Sequence, residues 1–142
     1  MKLKVAIASD HGGYQLKEYL KDTLDINWLD IGTHSDKKSV DYPDYGIALA
    51  AEVAADNAPF GIAICGSGIG ISMACNRNNQ VRAALCTDVT MARLAREHNN
   101  ANILCLGERI IGTETALDIV KTFLETEFEG GRHEKRIAKL EV

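Results

Sequence analysis

Nowhere in the 142 residues does an apolar run approach the roughly 20 residues that a membrane-spanning helix needs. The opening stretch MKLKVAIASD has only a short apolar run, closed by an acid, which is too little for the core of a secretory signal. An excess of positive charge is also missing: 16 Lys and Arg stand against 20 Asp and Glu, a formal charge of −4. That excludes a global attraction for nucleic acid or anionic lipid, so any anion site must be local. Cysteine occurs four times, as Cys65, Cys75, Cys86 and Cys105, but never as CxxC and never beside paired histidines. This spacing speaks against a zinc cage and against a disulfide framework. Thiols among apolar neighbours, without a secretory signal, point to a reducing cytoplasm. Linkers, repeats and low-complexity segments are absent, so residues 1–142 read as a single domain large enough for one buried core.

What is present is an alternation of apolar β-type runs with stretches of helical period. KVAIAS (4–9), NWLDIG (27–32), FGIAIC (60–65), VRAALC (81–86) and ANILCLG (101–107) read as strands. Between and after them, helices are expected over 14–24, 44–55, from the GSGIG turn to about 76, over 90–99 and over 113–127. Strands apolar on both faces imply a parallel sheet covered on each side. Right-handed crossovers then give a three-layer α/β/α, Rossmann-like fold with five parallel strands. Gly130-Gly131 breaks the last helix, and the basic tail 129–142 is expected to form a short helix that leaves the body and docks on a partner subunit.

In such sheets ligands bind beyond the carboxyl ends of the strands. Those ends carry Ser9-Asp10-His11-Gly12-Gly13, Gly32-Thr33, Cys65-Gly66-Ser67-Gly68, Thr87-Asp88 and Gly107-Glu108-Arg109. The sharpest feature is Cys65-Gly66-Ser67-Gly68-Ile69-Gly70, a strand ending on a thiol and turning into a helix start. Glycines there let backbone N–H groups converge on an anion. A thiol at a helix N-terminus is expected to ionise below its usual value of about 8.5, and so to serve as base or nucleophile. The competing reading is a core thiol before a tight turn. A dinucleotide loop also competes, but the spacing is GxGxG rather than GxGxxG and follows the third strand; no GxxxxGK[ST] is present.

Other residues stay open on the same terms. Asp10 can fix a sugar hydroxyl or cap a helix, and His11 can bind an anion or be solvated. His98 and Asn99 close the fourth helix, where a protonated imidazole is favoured by the dipole alone. Arg132 and Arg136 lie four apart, a phosphate clamp or a solvated basic face.

Taken together the chain resembles the ribose-5-phosphate isomerase B and galactose-6-phosphate isomerase family over nearly its whole length. The resemblance rests on SDHGGYQLKEYL, VDYPDYG, ICGSGIGISMACN, RAALC, ARLAREHNNANILCLGERIIG and FEGGRH, in that order. It implies a cofactor-free and metal-free aldose–ketose isomerase acting on a sugar phosphate, with Cys65 as proton-transfer base and His98 assisting ring opening. It further implies ligand contacts from Asp10, His11, the loop Gly66, Ser67, Gly68, Ile69 and Gly70, and Asn99. Arg109, Arg132 and Arg136 match the residues around the phosphate. Ser67 stands where many members have threonine, which keeps the hydroxyl. Some relatives use a glutamate just beyond the loop; this chain has Ser72 and Met73 there, which is consistent with Cys65. The family's sites are shared across a dimer interface, so a homodimer or dimer of dimers is expected, with no nucleic-acid or membrane partner. Ribose 5-phosphate is the favoured substrate, with allose 6-phosphate and galactose 6-phosphate as six-carbon alternatives. A nucleotide-binding module, or a partner with an incomplete site in a heteromeric isomerase, are readings from other classes.

Overall fold

The apolar runs pair into one parallel sheet, and side-chain alternation along them decides which helices cover each face. The structure is a computed structural model and describes residues 2–141. Its strands are β1 (Lys4–Ser9), β2 (Asn27–Gly32), β3 (Phe60–Cys65), β4 (Ala83–Leu85) and β5 (Ile103–Gly107). They lie in the order β2-β1-β3-β5-β4, every pair parallel. The helices are α1 (Tyr14–Thr23), α2 (Tyr42–Ala54), α3 (Ile69–Cys75), α4 (Val89–Asn99), α5 (Thr113–Glu125) and α6 (Arg132–Ala138). This is the expected three-layer α/β/α arrangement with a helical tail. Among the described residues no helix is long and apolar enough to cross a membrane.

Successive strand side chains face opposite ways. On β1 and β3 this sends Val5, Ile7, Ile62 and Ile64 into a core with Leu20 of α1, Ala92 of α4 and Phe123 of α5. The other face carries Ala6, Ala8, Ala63 and Cys65, packed on Leu49, Ala50 and Val53 of α2 and Ile71 of α3. Small residues on this side let α2 come close: a Cβ on Gly61 would lie 3.0 Å from Val53. Cys65 therefore belongs to the α2–α3 face. The chain leaves β1 into α1 on one face and leaves β3 into α3 on the other. The winding reverses between them, and their carboxyl ends open a crevice, which is where such sheets take ligands.

Several boundaries differ from expectation by a residue or two, β5 starting at Ile103 and α5 ending at Glu125 among them, and three departures have a clear local reason. Helix α2 starts at Tyr42 rather than Asp44, because Pro43 sits in the first turn, where no N–H is required. Strand β4 keeps only Ala83–Leu85 of the expected 81–86. Val81 N–H closes a turn on Asn78 C=O, and Arg82 N–H donates to Asn102 Oδ1. The tail does form a helix, but its first turn does not leave the body. His133 is buried and stacks on His98, Glu129 N–H donates to Glu97 C=O, and Arg82 meets Glu141 at 3.2 Å.

One polar feature is buried beside the sheet. The Lys17 side chain on α1 is fully enclosed, and its Nζ donates to both carboxylate oxygens of Asp30 on β2, at 2.9 and 2.7 Å, and to Glu18 at 2.9 Å. Lys21 reaches the same Asp30 oxygen at 2.7 Å, and Gly32 N–H donates to Asp30 Oδ1 at 2.9 Å. Burial opposes ionisation of Asp30, but the hydrogen bonds from Lys17, Lys21 and Gly32 outweigh it and hold the carboxyl below its usual range. A depressed carboxyl stabilises the fold above the unfolded value of about 3.9, and that contribution fades as pH falls through the folded value. Asp30→Asn leaves the Lys17 charge with Glu18 alone and is expected to cost about 3 kcal/mol, the lower end for breaking a buried pair. Urea titrations of both proteins at pH 7 and at pH 3 check this: the gap between them should narrow at pH 3. An equal gap at both values would assign the loss to packing instead.

Candidate active site

The crevice between β1 and β3 holds a pocket of about 300 Å³ lined by Asp10, His11, Gly12, Tyr42, Cys65, Gly66, Ser67, Gly70, Arg109 and Ile110. Asp10 follows β1, and its Oδ1 accepts the Gly13 N–H at 3.1 Å, capping the single 3-10 turn His11–Gly13. The capping role considered for it is therefore real, and it faces the pocket as well. His11 Nδ1 accepts the Val40 N–H at 3.1 Å. In the neutral ring that fixes the proton on Nε2 and leaves it as a donor.

Cys65 ends β3, and its Sγ accepts the Gly68 N–H at 3.2 Å. Gly68 makes this possible by taking φ +78°, where a Cβ would run into Leu85 and the Leu106 backbone. Ile69 N–H is used too, donating to Ser67 Oγ at 3.1 Å. Two of the loop amides expected to face an anion thus serve the chain itself. Gly70 lies in the first turn of α3, where amides lack helical partners. Its missing side chain admits the Tyr42 ring, since a Cβ there would sit 2.6 Å from it.

The β5 end is tied to the thiol loop by backbone bonds. Glu108 N–H donates to Cys65 C=O and Arg109 N–H to Gly66 C=O, each at 3.0 Å. Arg109 then lies along Gly66, its Nε 3.4 Å from where a Cβ would be. Glu108 turns the other way, its Oε1 accepting the Leu16 N–H of α1 at 2.8 Å. A thiol, a carboxylate, an imidazole and a guanidinium thus share one small pocket.

The remaining expected residues are elsewhere. Gly68 and Ile69 shape the loop without lining the pocket. His98 sits on the last turn of α4 and stacks on His133, ring centroids 4.4 Å apart. Asn99 borders a different cavity of about 520 Å³ with Asn76, Arg77, Arg82 and Leu140. Arg132 and Arg136 are exposed on α6. Sequence reasoning assigned no role to Tyr42, Gly12 or Ile110. Tyr42 belongs to the VDYPDYG stretch, and that was the signal available for it.

A doubly wound sheet whose switch-point crevice gathers a thiol, a carboxylate, an imidazole and a guanidinium has the layout of a small α/β enzyme. The model of the family described as "Ribose/Galactose Isomerase" matches residues 5–140, and the chain belongs to that family of isomerases. Over 141 residues it is 46% identical to the putative sugar phosphate isomerase YwlF of Bacillus subtilis, covering 97% of this chain and 95% of that protein. It is also similar to the solved ribose-5-phosphate isomerase of Thermotoga maritima, with TM-score 0.95, 53% identity, and 98% and 97% of the two chains covered. The ribose-5-phosphate isomerase B of Clostridium thermocellum gives TM-score 0.95 and 51% identity over 98% and 95%. The protein is a sugar-phosphate isomerase.

The four thiols are free and differ in setting. Burial and the Asp88 charge push the Cys86 thiol up to about 12. Its hydrogen bond with Cys75 and full burial also raise Cys105 well above the usual thiol range. Only Cys65 lines the pocket. Iodoacetamide on the native protein should therefore alkylate Cys65 first, and peptide mass mapping over time reads the order. Labelling of Cys75, Cys86 or Cys105 at an equal rate would show that the pocket gives the reagent no route to Sγ.

Proposed function

We propose that the chain interconverts ribose 5-phosphate and ribulose 5-phosphate through an enediolate, a step of pentose phosphate metabolism. The observation that carries this reading is the thiol of Cys65 in a pocket beside Asp10, His11 and Arg109, in a chain similar to proteins named ribose-5-phosphate isomerase. The reaction moves a proton between neighbouring carbons. It needs one base, donors for the oxyanion and a relay between two oxygens. Cys65 is the base. Ser67 and Gly70, whose residues line the pocket, supply amide donors, each worth about 3 kcal/mol by analogy with other oxyanion holes. The Ser67 hydroxyl relays the proton between the oxygens, and Asp10 fixes a sugar hydroxyl.

His11, with its donor on Nε2, and Arg109 hold the phosphate end from this chain. Arg132 and Arg136 complete that grip, and His98 opens the sugar ring, with Asn99 beside it. These four lie outside the pocket, so the reading includes a homodimer, or a dimer of dimers, in which they come from a second copy. Exposed apolar side chains on α2 and α3, namely Ile47, Ile69 and Met73, give such a contact its material. Anchoring the phosphate far from the reacting carbons converts binding energy into orientation. A six-carbon sugar phosphate is the alternative substrate, and a substrate panel with purified protein decides between them.

Cys65→Ser replaces an ionisable thiol by an alcohol and is expected to lower kcat at least about a hundredfold, within the range of general-base catalysis, with substrate affinity largely kept. Near-normal turnover would return Cys65 to a packing role. The shared site is tested by refolding a mixture of Cys65→Ser and His98→Ala, each inactive alone. In mixed dimers both lesions fall in one of the two symmetric sites, so about a quarter of wild-type activity should return. No recovery, with mixed dimers shown to form, would place both residues of each site on one chain.

A further inference from the structure

The last turn of α4, the loop after α5 and the first turn of α6 bring three metal-ligating side chains together outside the pocket. His98 and His133 are stacked with their planes 16° apart. Glu129 is held against α4 by its N–H bond to Glu97 C=O, and its Oε1 lies 3.5 Å from His133 Nε2. One ligand atom from each of the three lies within 4.8 Å of the other two. The sequence gives no such spacing, because the cluster exists only once the tail has folded back onto α4.

A second observation points to a ligand. His133 is 6% exposed, and its Nε2 is fully buried without a hydrogen-bond partner. Buried ring nitrogens are normally paired, and an orphan beside a carboxylate marks a place for a proton or a cation.

We propose that His98, His133 and Glu129 form a zinc-binding site, and that zinc held there inhibits the isomerase by occupying the imidazole of His98. The inhibitory half rests on the ring-opening role proposed for His98. Two imidazoles and one carboxylate, with a fourth position open, are a donor set that zinc accepts. Zinc–nitrogen bonds of about 2.0–2.1 Å require the donors to converge, so the stacked rings must tilt. Glu129 is exposed and swings in freely, while His133 has its first turn of helix to move with. Arg132 and Arg136 on α6 oppose a cation, which makes this a reversible site rather than a structural one. Copper and nickel would occupy it as well, since imidazole suits both.

The test uses metal-free protein. Binding is measured in the Cys65→Ser background, which removes the competing thiol, by zinc calorimetry and by the visible absorption of tetrahedral cobalt. One ion per chain is expected. His133→Ala and Glu129→Gln should each weaken binding at least about tenfold, the least that losing even an outer-shell partner costs. Zinc should inhibit otherwise wild-type enzyme at the concentration where it binds, and EDTA should restore activity. Glu129→Gln, with unimpaired basal turnover, should need at least about tenfold more zinc.

Absence of saturable binding, or binding untouched by both substitutions, would overturn the metal site. Binding that depends on His133 but leaves turnover unchanged would keep the site and overturn the inhibition, and would count against the role given to His98. Equal inhibition of wild type and Glu129→Gln would move the inhibitory ion to other ligands and overturn the link.

Discussion

Two backbone hydrogen bonds fix the site: Glu108 N–H to Cys65 C=O, and Arg109 N–H to Gly66 C=O. They extend the β3–β5 ladder, in which Cys65 already pairs with Gly107, one step past the strands. Sheet register therefore sets where the residues that carry the thiol and the guanidinium stand. The Glu108 carboxylate braces the same corner against α1 through the Leu16 N–H. A one-residue slip of β3 would turn Cys65 to the opposite face. What forbids it is the size pattern: Ile62 and Ile64 fill the α1–α4–α5 side, while only Ala63 and Cys65 fit under α2 and α3.

The sequence makes this half of the molecule readable because each signal is local. Strand ends, the glycine turn and the thiol follow one another along the chain, and the rule that ligands sit at strand ends does the rest. Asp10, Cys65, Ser67 and Arg109 needed no three-dimensional information beyond that rule. The loop amides were less legible. Which of them point outward depends on Gly68 at positive φ and on Ser67 Oγ accepting from Ile69, and neither has a sequence signature. Tyr42 lies in the VDYPDYG stretch, but its place in the pocket has no local signature: it is set by the absence of a Cβ on Gly70, a contact between segments far apart in the chain. Charge and two glycines read as an exit of the tail, whereas the His133–His98 stack, the Glu129 N–H bond to Glu97 C=O and the Arg82–Glu141 pair hold it to the body, contacts that no local sequence signal announces.

The division between the two groups of residues carries its own chemical sense. The pocket at the β1–β3 crevice has a thiol, a carboxylate, an imidazole and a guanidinium, which the proposed mechanism uses to move a proton and hold an anion. The α4–α6 corner has imidazole, amide and two guanidinium groups, to which the proposed mechanism gives the grip on the phosphate and the opening of the ring. Neither group alone covers both ends of a sugar phosphate. A reactive enediolate also needs walls that exclude water, which a shallow 300 Å³ pocket on one small domain does not offer. Under the proposed mechanism, association is therefore part of the active site rather than an addition to it.

The His98–His133 stack shows how such a corner acquires a second property. An imidazole that trades protons with a sugar oxygen must keep one nitrogen unprotonated and reachable. Seating it on a second, buried imidazole restrains the ring without consuming that nitrogen, at the cost of leaving His133 Nε2 unpaired. A carboxylate nearby is the ordinary remedy for an orphaned ring nitrogen, and Glu129 takes that position at 3.5 Å, longer than a good hydrogen bond. The three groups that result are the same ones a zinc ion seeks. Under the proposed zinc site, sensitivity to metal is a consequence of how His98 is held, and a change that preserves both the stack and the carboxylate leaves it in place. Glu129 takes no part in the stack, so under this proposal the metal affinity can be altered there while the ring geometry of His98 is kept.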